Sequence, residues 1–173
     1  MNKKKIKIGV LGGSFDPAHK GHLAISKEAK KRFDLNHIIW AITKKNPFKA
    51  ESETSVLKRI KECKRIIGLN SFIKVKFYEN IIKSNKTIDL INHLKKNKTA
   101  EIYFLMGADN LINFHKWHKS KLISQKCNIL VFDRHGYKKK SLDSTTFKRL
   151  NDKNLKFIEF DKVNISSSQL RKI

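Results

Sequence analysis

The chain has 173 residues, 39% hydrophobic and 31% charged, with 39 Lys+Arg against 15 Asp+Glu and a formal net charge of +24. A domain of roughly this size buries about two-thirds of the surface that its unfolded chain exposes, so these figures exclude a disordered polybasic tail. One compact domain, residues 1–173, is expected. The positive balance admits nucleic acid, an acidic membrane surface or anionic small substrates as partners, but 33 Lys against 6 Arg is a poor composition for bidentate base or phosphate readout.

In chain order, the basic start is followed by Ile6 to Leu11, a strand candidate that Lys7 and Gly9 interrupt too early for a secretory signal. No apolar run reaches the ~20 residues of a membrane-spanning helix, so a cytoplasmic location without membrane association is expected. The run Gly12-Gly13-Ser14-Phe15-Asp16-Pro17-Ala18-His19-Lys20-Gly21-His22 comes next, ahead of a helical stripe of Ile25, Ala29 and Phe33. Further strand candidates are His37 to Thr43, Phe72 to Tyr78, Glu101 to Met106 and Asn128 to Phe132, all short and β-branched or aromatic. Between them lie helical stripes at Val56, Ile60, Cys63 and Ile67 and at Leu90, Ile91 and Leu94, then a helical segment from about Asp109 to Lys126. Cys63 and Cys127 lack metal-ligand spacing and read as structural residues, one in a helix core and one near a strand start.

This alternation predicts an α/β fold: a Rossmann-like, doubly wound, mainly parallel sheet of five to six strands with helices on both faces. Ligands of such sheets sit beyond the carboxyl ends of the strands. The loops after Leu11, Thr43 and Met106 are therefore the places to look for chemistry.

The first of these loops is neither the dinucleotide GxGxxG nor the GxxxxGK[ST] phosphate loop. Its glycines permit close approach, Pro17 fixes the turn, and His19 and His22 converge at the start of a helix. Two imidazoles donating to phosphate beside a helix N-terminus could stabilise a departing pyrophosphate; the alternative is a solvated turn with surface histidines. A metal pair is disfavoured, because the glutamate of HExxH is missing.

These residues carry a resemblance. GSFDPAHKGH resembles the (T/H)xGH signature of the nucleotidyltransferase superfamily, and Ile165-Ser166-Ser167-Ser168-Gln169-Leu170-Arg171 is similar to its ISSTxIR element. Within the superfamily the chain most resembles the bacterial nicotinate-nucleotide adenylyltransferases. Met106-Gly107-Ala108-Asp109-Asn110 and Phe114-His115-Lys116-Trp117 match the GAD…F.KW segment, Thr87 and Asp89 the (S)YTxDT segment, Asn46-Pro47-Phe48-Lys49 the N.PxK loop, and Arg134 the RPG arginine. Lys86 and His135 stand where the family usually has Tyr and Pro.

The resemblance implies adenylyl transfer from ATP to nicotinate mononucleotide, giving nicotinate adenine dinucleotide and pyrophosphate, in NAD biosynthesis. It assigns charge stabilisation to His19, His22 and Arg171. ATP would lie against Gly12, Gly13, Ser14, Phe15, Gly21, Gly107, Asp109, Ser166, Ser167 and Ser168. The mononucleotide would meet Asp16, Asn46, Lys49, Thr87, Trp117 and Arg134, with the Trp117 indole stacked on the pyridine. Magnesium (Mg2+) would be bound mainly through ATP phosphates, without a dedicated protein site, and a homo-oligomer is possible.

Each motif has a plainer reading: helix capping for the serines and Asp89, packing for Trp117, and solvent exposure for His115 and His118. Sister activities toward phosphopantetheine or nicotinamide mononucleotide share the phosphate motifs. From another class, a basic nucleic-acid-binding protein on a degenerate scaffold would show an Arg or aromatic stripe, whereas the lysines here are dispersed from Lys3 to Lys172. No specific nucleic-acid partner is expected.

Overall fold

The computed structural model describes residues 4–45, 54–150, 154–160 and Leu170. Among these residues, six strands form one sheet: β1 (Ile6–Gly13), β2 (His37–Ile42), β3 (Ile73–Lys76), β4 (Ala100–Gly107), β5 (Asn128–Phe132) and β6 (Leu155–Ile158). Every pairing is parallel, in the order β3-β2-β1-β4-β5-β6. The fold is therefore the doubly wound α/β arrangement expected from the alternation of elements. β6 is the strand that periodicity did not single out, since only its Leu155 and Ile158 are buried.

Helices α1 (Lys20–Phe33) and α2 (Val56–Ile67) cover one face. Ala29, Cys63 and Ile67 pack there against Ile38, Trp40, Ile42, Leu105 and Phe132. The short α3 (Glu79–Ile82) leads to α4 (Thr87–Leu94), which joins α5 (Ala108–Phe114), α6 (Ser120–Lys126) and α8 (Thr145–Leu150) on the other face, with α7 (Lys138–Leu142) beside α5 and α8. Ile88, Ile91, Leu111, Phe114, Ile123 and Leu150 meet Val10, Ile39, Phe104 and Val131 in that layer. Alternate residues of each strand thus feed opposite layers, which is why the strands read as continuous apolar runs.

The expected helix from Asp109 to Lys126 is instead two helices. α5 ends at Phe114, and Lys119 takes a left-handed φ of 54° before α6 begins. The break lets Trp117 turn back onto Phe104 and Phe114.

Chain order reverses between β1 and β4, neighbours in the sheet from which the two halves wind outward. The crevice beyond their carboxyl ends is the topological switch point, where doubly wound sheets bind ligands. Among the described residues, no helix is long and apolar enough to cross a membrane.

Candidate active site

β1 ends at Gly13, and the chain turns through Ser14 and Phe15 to a cis Asp16–Pro17 bond before α1 begins. Phe15 has a left-handed φ of 49° and is 2% exposed, its ring stacked on Trp40 at 5.0 Å. The Phe15 ring is thus core, and any part this residue plays toward ATP falls to its backbone. Trp40 Nε1–H donates to Ser26 Oγ at 2.9 Å, and Ser26 Oγ–H donates to the His22 carbonyl at 2.8 Å. This chain of contacts locks the first turn of α1 against β2. Sequence reading missed both Ser26 and Trp40, which carry no motif.

His19 is the N-cap of α1. Its Nδ1 accepts the Gly21 N–H at 3.1 Å, while Nδ1 of His22 accepts the His19 N–H at 3.2 Å. The two histidines therefore form a reciprocal capping box, a role usually held by a hydroxyl and a carboxylate. Their rings lie 3.8 Å apart, centroid to centroid. Because each Nδ1 is an acceptor, each neutral ring carries its hydrogen on Nε2. The sequence places two histidines at this turn; the backbone bonds decide which nitrogen of each can donate.

Asp16 is 4% exposed, and its carboxylate attracts the guanidinium of Arg59. Arg59, 2% exposed on α2, donates to four carbonyls: Ser14 at 2.6 Å, Thr43 at 2.8 Å, Thr54 at 3.0 Å and Lys44 at 3.2 Å. Burial lowers its pKa, and the carboxylates of Asp16 and Glu79 oppose that shift. The sequence did hold a signal for Arg59. It lies three residues after Val56 and four before Cys63, on the apolar stripe of its helix, where an unpartnered arginine would be very unfavourable.

On the other side of the switch point, Gly107 closes β4 and caps α5. Asp109 Oδ2 accepts from Arg134 Nη1 at 2.6 Å, joining the ends of β4 and β5. A residue expected at ATP and one expected at the mononucleotide are thereby brought into one ion pair. Asp109 Oδ1 is buried and takes no hydrogen bond among the described residues, and a Cβ at Gly107 would stand only 2.6 Å from it.

Trp117 is half-buried, edge-on to Phe104 at 6.0 Å and to Phe114 at 5.1 Å. Thr87 opens α4 on the same side of the sheet. Asp89 does not cap that helix with its side chain; its Oδ2 accepts from the Ser84 hydroxyl at 2.6 Å. His118 is exposed as expected, but His115 is not: its Nδ1 lies 2.9 Å from Oγ1 of the fully buried Thr146, which also accepts the His115 N–H at 3.1 Å. α8 packs against the end of α5, and that contact supplies the partner. Gly12, Gly13 and Gly21 stand at the end of β1 and in the first turn of α1. Asn46, Lys49, Ser166, Ser167, Ser168 and Arg171 lie outside the described residues.

No group of three or more His, Cys, Asp or Glu side chains comes together as a metal site among the described residues. The carboxyl ends of the neighbouring strands β1 and β4 thus carry two paired imidazoles at a helix N-terminus and a carboxylate with one oxygen unbonded among the described residues. Such a site suits anionic phosphates together with sugar hydroxyls.

A family model described as cytidylyltransferase-like matches residues 10–173, and the chain belongs to that family. Its relatives narrow the assignment. A Pelagibacter ubique protein named a probable nicotinate-nucleotide adenylyltransferase is 68% identical over 173 residues, which span 100% of this chain and 96% of that protein. A Nitratiruptor sp. protein of the same name is 37% identical over 136 residues, 77% of this chain and 76% of its own. Within the cytidylyltransferase-like proteins, the chain belongs to the nicotinate-nucleotide adenylyltransferases. The solved structure of Plasmodium falciparum nicotinic acid mononucleotide adenylyltransferase complexed with NaAD shares the fold, with a TM-score of 0.79, 23% identity, and coverage of 96% of this chain and 83% of that one.

Proposed function

We propose that this protein transfers the adenylyl group of ATP to nicotinate mononucleotide, releasing pyrophosphate and forming nicotinate adenine dinucleotide. The observation that carries this reading is the His19–His22 pair, whose Nδ1 atoms are both held by backbone N–H groups, leaving Nε2–H as the donor on each ring. The names of the relatives supply the acceptor.

An oxygen of the mononucleotide phosphate bonds to the α-phosphorus of ATP. Opposite it, the bond from that phosphorus to the α,β-bridging oxygen breaks, and the electron pair leaves with pyrophosphate. Phosphoryl chemistry of this kind needs alignment and charge stabilisation rather than a covalent nucleophile. His19 and His22 donate from Nε2 to the oxygens on which charge collects, helped by the positive end of α1. Arg171 adds a fixed positive charge, and Ser166, Ser167 and Ser168 donate to the triphosphate. Asp109, whose Oδ1 takes no hydrogen bond among the described residues, accepts from a ribose hydroxyl, and Arg134 holds that carboxylate in place. Trp117 offers its indole face to the electron-poor pyridine, with Thr87 on the same side of the sheet.

Magnesium fits this site as an ion carried in by ATP, since it keeps phosphate oxygens and water as most of its ligands. When bound, it neutralises charge on the bridging phosphates. The proposal also takes residues 1–173 as one catalytic domain working in the cytoplasm.

The test is pyrophosphate release from ATP and magnesium with nicotinate mononucleotide, nicotinamide mononucleotide or phosphopantetheine in separate reactions. Fastest release with nicotinate mononucleotide is expected. Preference for another acceptor would overturn the substrate assignment, and release with none would overturn the enzymatic reading.

A further inference from the structure

Arg59 bonds three segments that are distant in sequence. Its guanidinium reaches the carbonyl of Ser14 in the loop after β1, those of Thr43 and Lys44 in the loop after β2, and that of Thr54 ahead of its own helix. Thr43 N–H also donates to the Gly13 carbonyl at 2.9 Å, so the two loops are fastened to each other as well as to Arg59.

These bonds also aim donors. In a trans peptide the carbonyl of one residue and the N–H of the next point in opposite directions. The loop after β2 displays this: Arg59 takes the Thr43 carbonyl, and the N–H of the same peptide, that of Lys44, donates at 3.1 Å to Glu79 Oε1 on the far side. In the loop after β1, Arg59 holds the Ser14 carbonyl at 2.6 Å. The Phe15 N–H is accordingly turned away from the guanidinium. A buried positive charge needs several acceptors, and these carbonyls supply them along both loops that border the nucleotide crevice.

We propose that Arg59 is a positioning residue for adenylyl transfer, fixing the separation of the two loops from behind and turning the Phe15 N–H toward the triphosphate of ATP. The inference rests on the adenylyltransferase reading and adds to it a residue that never touches substrate. Lysine is no substitute, because its ammonium lacks the planar fork that reaches four carbonyls at once.

The test compares wild type with Arg59→Met and Arg59→Lys in two measurements. In steady-state kinetics, Arg59→Lys should raise the KM for ATP and lower kcat, with kcat/KM down about 10²-fold, the scale of a misplacement near 1 Å. A residue that only stabilises the fold would lower Tm and the active fraction and leave KM at its wild-type value, and that result would overturn the proposal. In amide hydrogen exchange on the ligand-free protein, the Arg59→Lys loops at residues 13–17 and 43–45 should lose protection together while β4 keeps its own. Unchanged protection would overturn the clamp even if Arg59→Met proved too unstable to assay. If wild type makes no dinucleotide yet both loops loosen together, the functional reading fails and the clamp stands.

Discussion

Nδ1 of His22 accepts the backbone N–H of His19 at 3.2 Å, so the ring expected to stabilise the leaving group also caps the helix that carries it. Structure and chemistry can be separated by substitution. Asn at this position keeps a side-chain acceptor for the cap and removes the Nε2–H. His22→Asn should fold with a Tm near wild type and lose about 10²–10³ in kcat, the usual result of removing one charge-stabilising donor. Wild-type turnover in a pyrophosphate assay would contradict the assigned role.

Gly107 tests the other side of the crevice. Its φ of −79° and ψ of 156° suit any residue, so alanine there brings no backbone strain, but its Cβ would meet Asp109 Oδ1 at 2.6 Å. The carboxylate can retreat only by disturbing its bond to Arg134. Gly107→Ala should leave thermal unfolding almost unchanged and weaken ATP binding about tenfold, on the scale of one lost hydrogen bond to a charged group. Calorimetric titration with ATP measures this directly.

Of the two tryptophans, Trp40 is sealed in the core at 0% exposure, whereas Trp117 is half-buried. Binding of nicotinate mononucleotide should therefore quench intrinsic fluorescence through Trp117 alone. The quench should vanish in Trp117→Leu, with KM for the mononucleotide raised about tenfold for a lost aromatic stack. A persisting quench would place the pyridine elsewhere.

The pH dependence of stability should carry a signature of His37. Burial, reinforced by the charge of Lys74, holds this imidazole below its ordinary value of 6.5. The unfolded chain then takes up the proton first. The stability due to neutral His37 is complete above 6.5 and is lost as pH falls through the lower, folded value. His37→Gln should flatten that part of a plot of Tm against pH, while an unchanged slope would assign it to other groups.

Burial also pushes the thiols of Cys63 and Cys127 up to about 12. Near pH 8 both should resist iodoacetamide in the folded protein and react once it is unfolded, because the thiolate is the reactive form. Mass spectrometry before and after denaturant distinguishes the two states.

Local pattern was sufficient where one element acts by itself. Asn128–Phe132 is a strand with the expected bounds, since its four consecutive apolar residues, Ile129 to Phe132, can serve a sheet buried on both faces. His19 and His22 are three residues apart, and the capping box at the start of α1 brings them together through bonds within one short segment. Local pattern was insufficient where a partner comes from far along the chain. The segment after Asp109 has helical periodicity throughout, yet it breaks at Lys119 and Trp117 packs back on Phe104. His115 is expected at the surface from its residue type, but Thr146, 31 residues later, engages it.

The alternation of strands and helices and the order of the phosphate motifs are legible in the chain, because both follow from short-range spacing. Only the paired strands bring Arg134 onto Asp109 and let Arg59 bind the loops after β1 and β2 from inside the protein. Those outcomes depend on which carbonyls, amides and carboxylates the sheet brings within about 3 Å of one another. Spacing along a chain carries no information about such distances until the strands are paired.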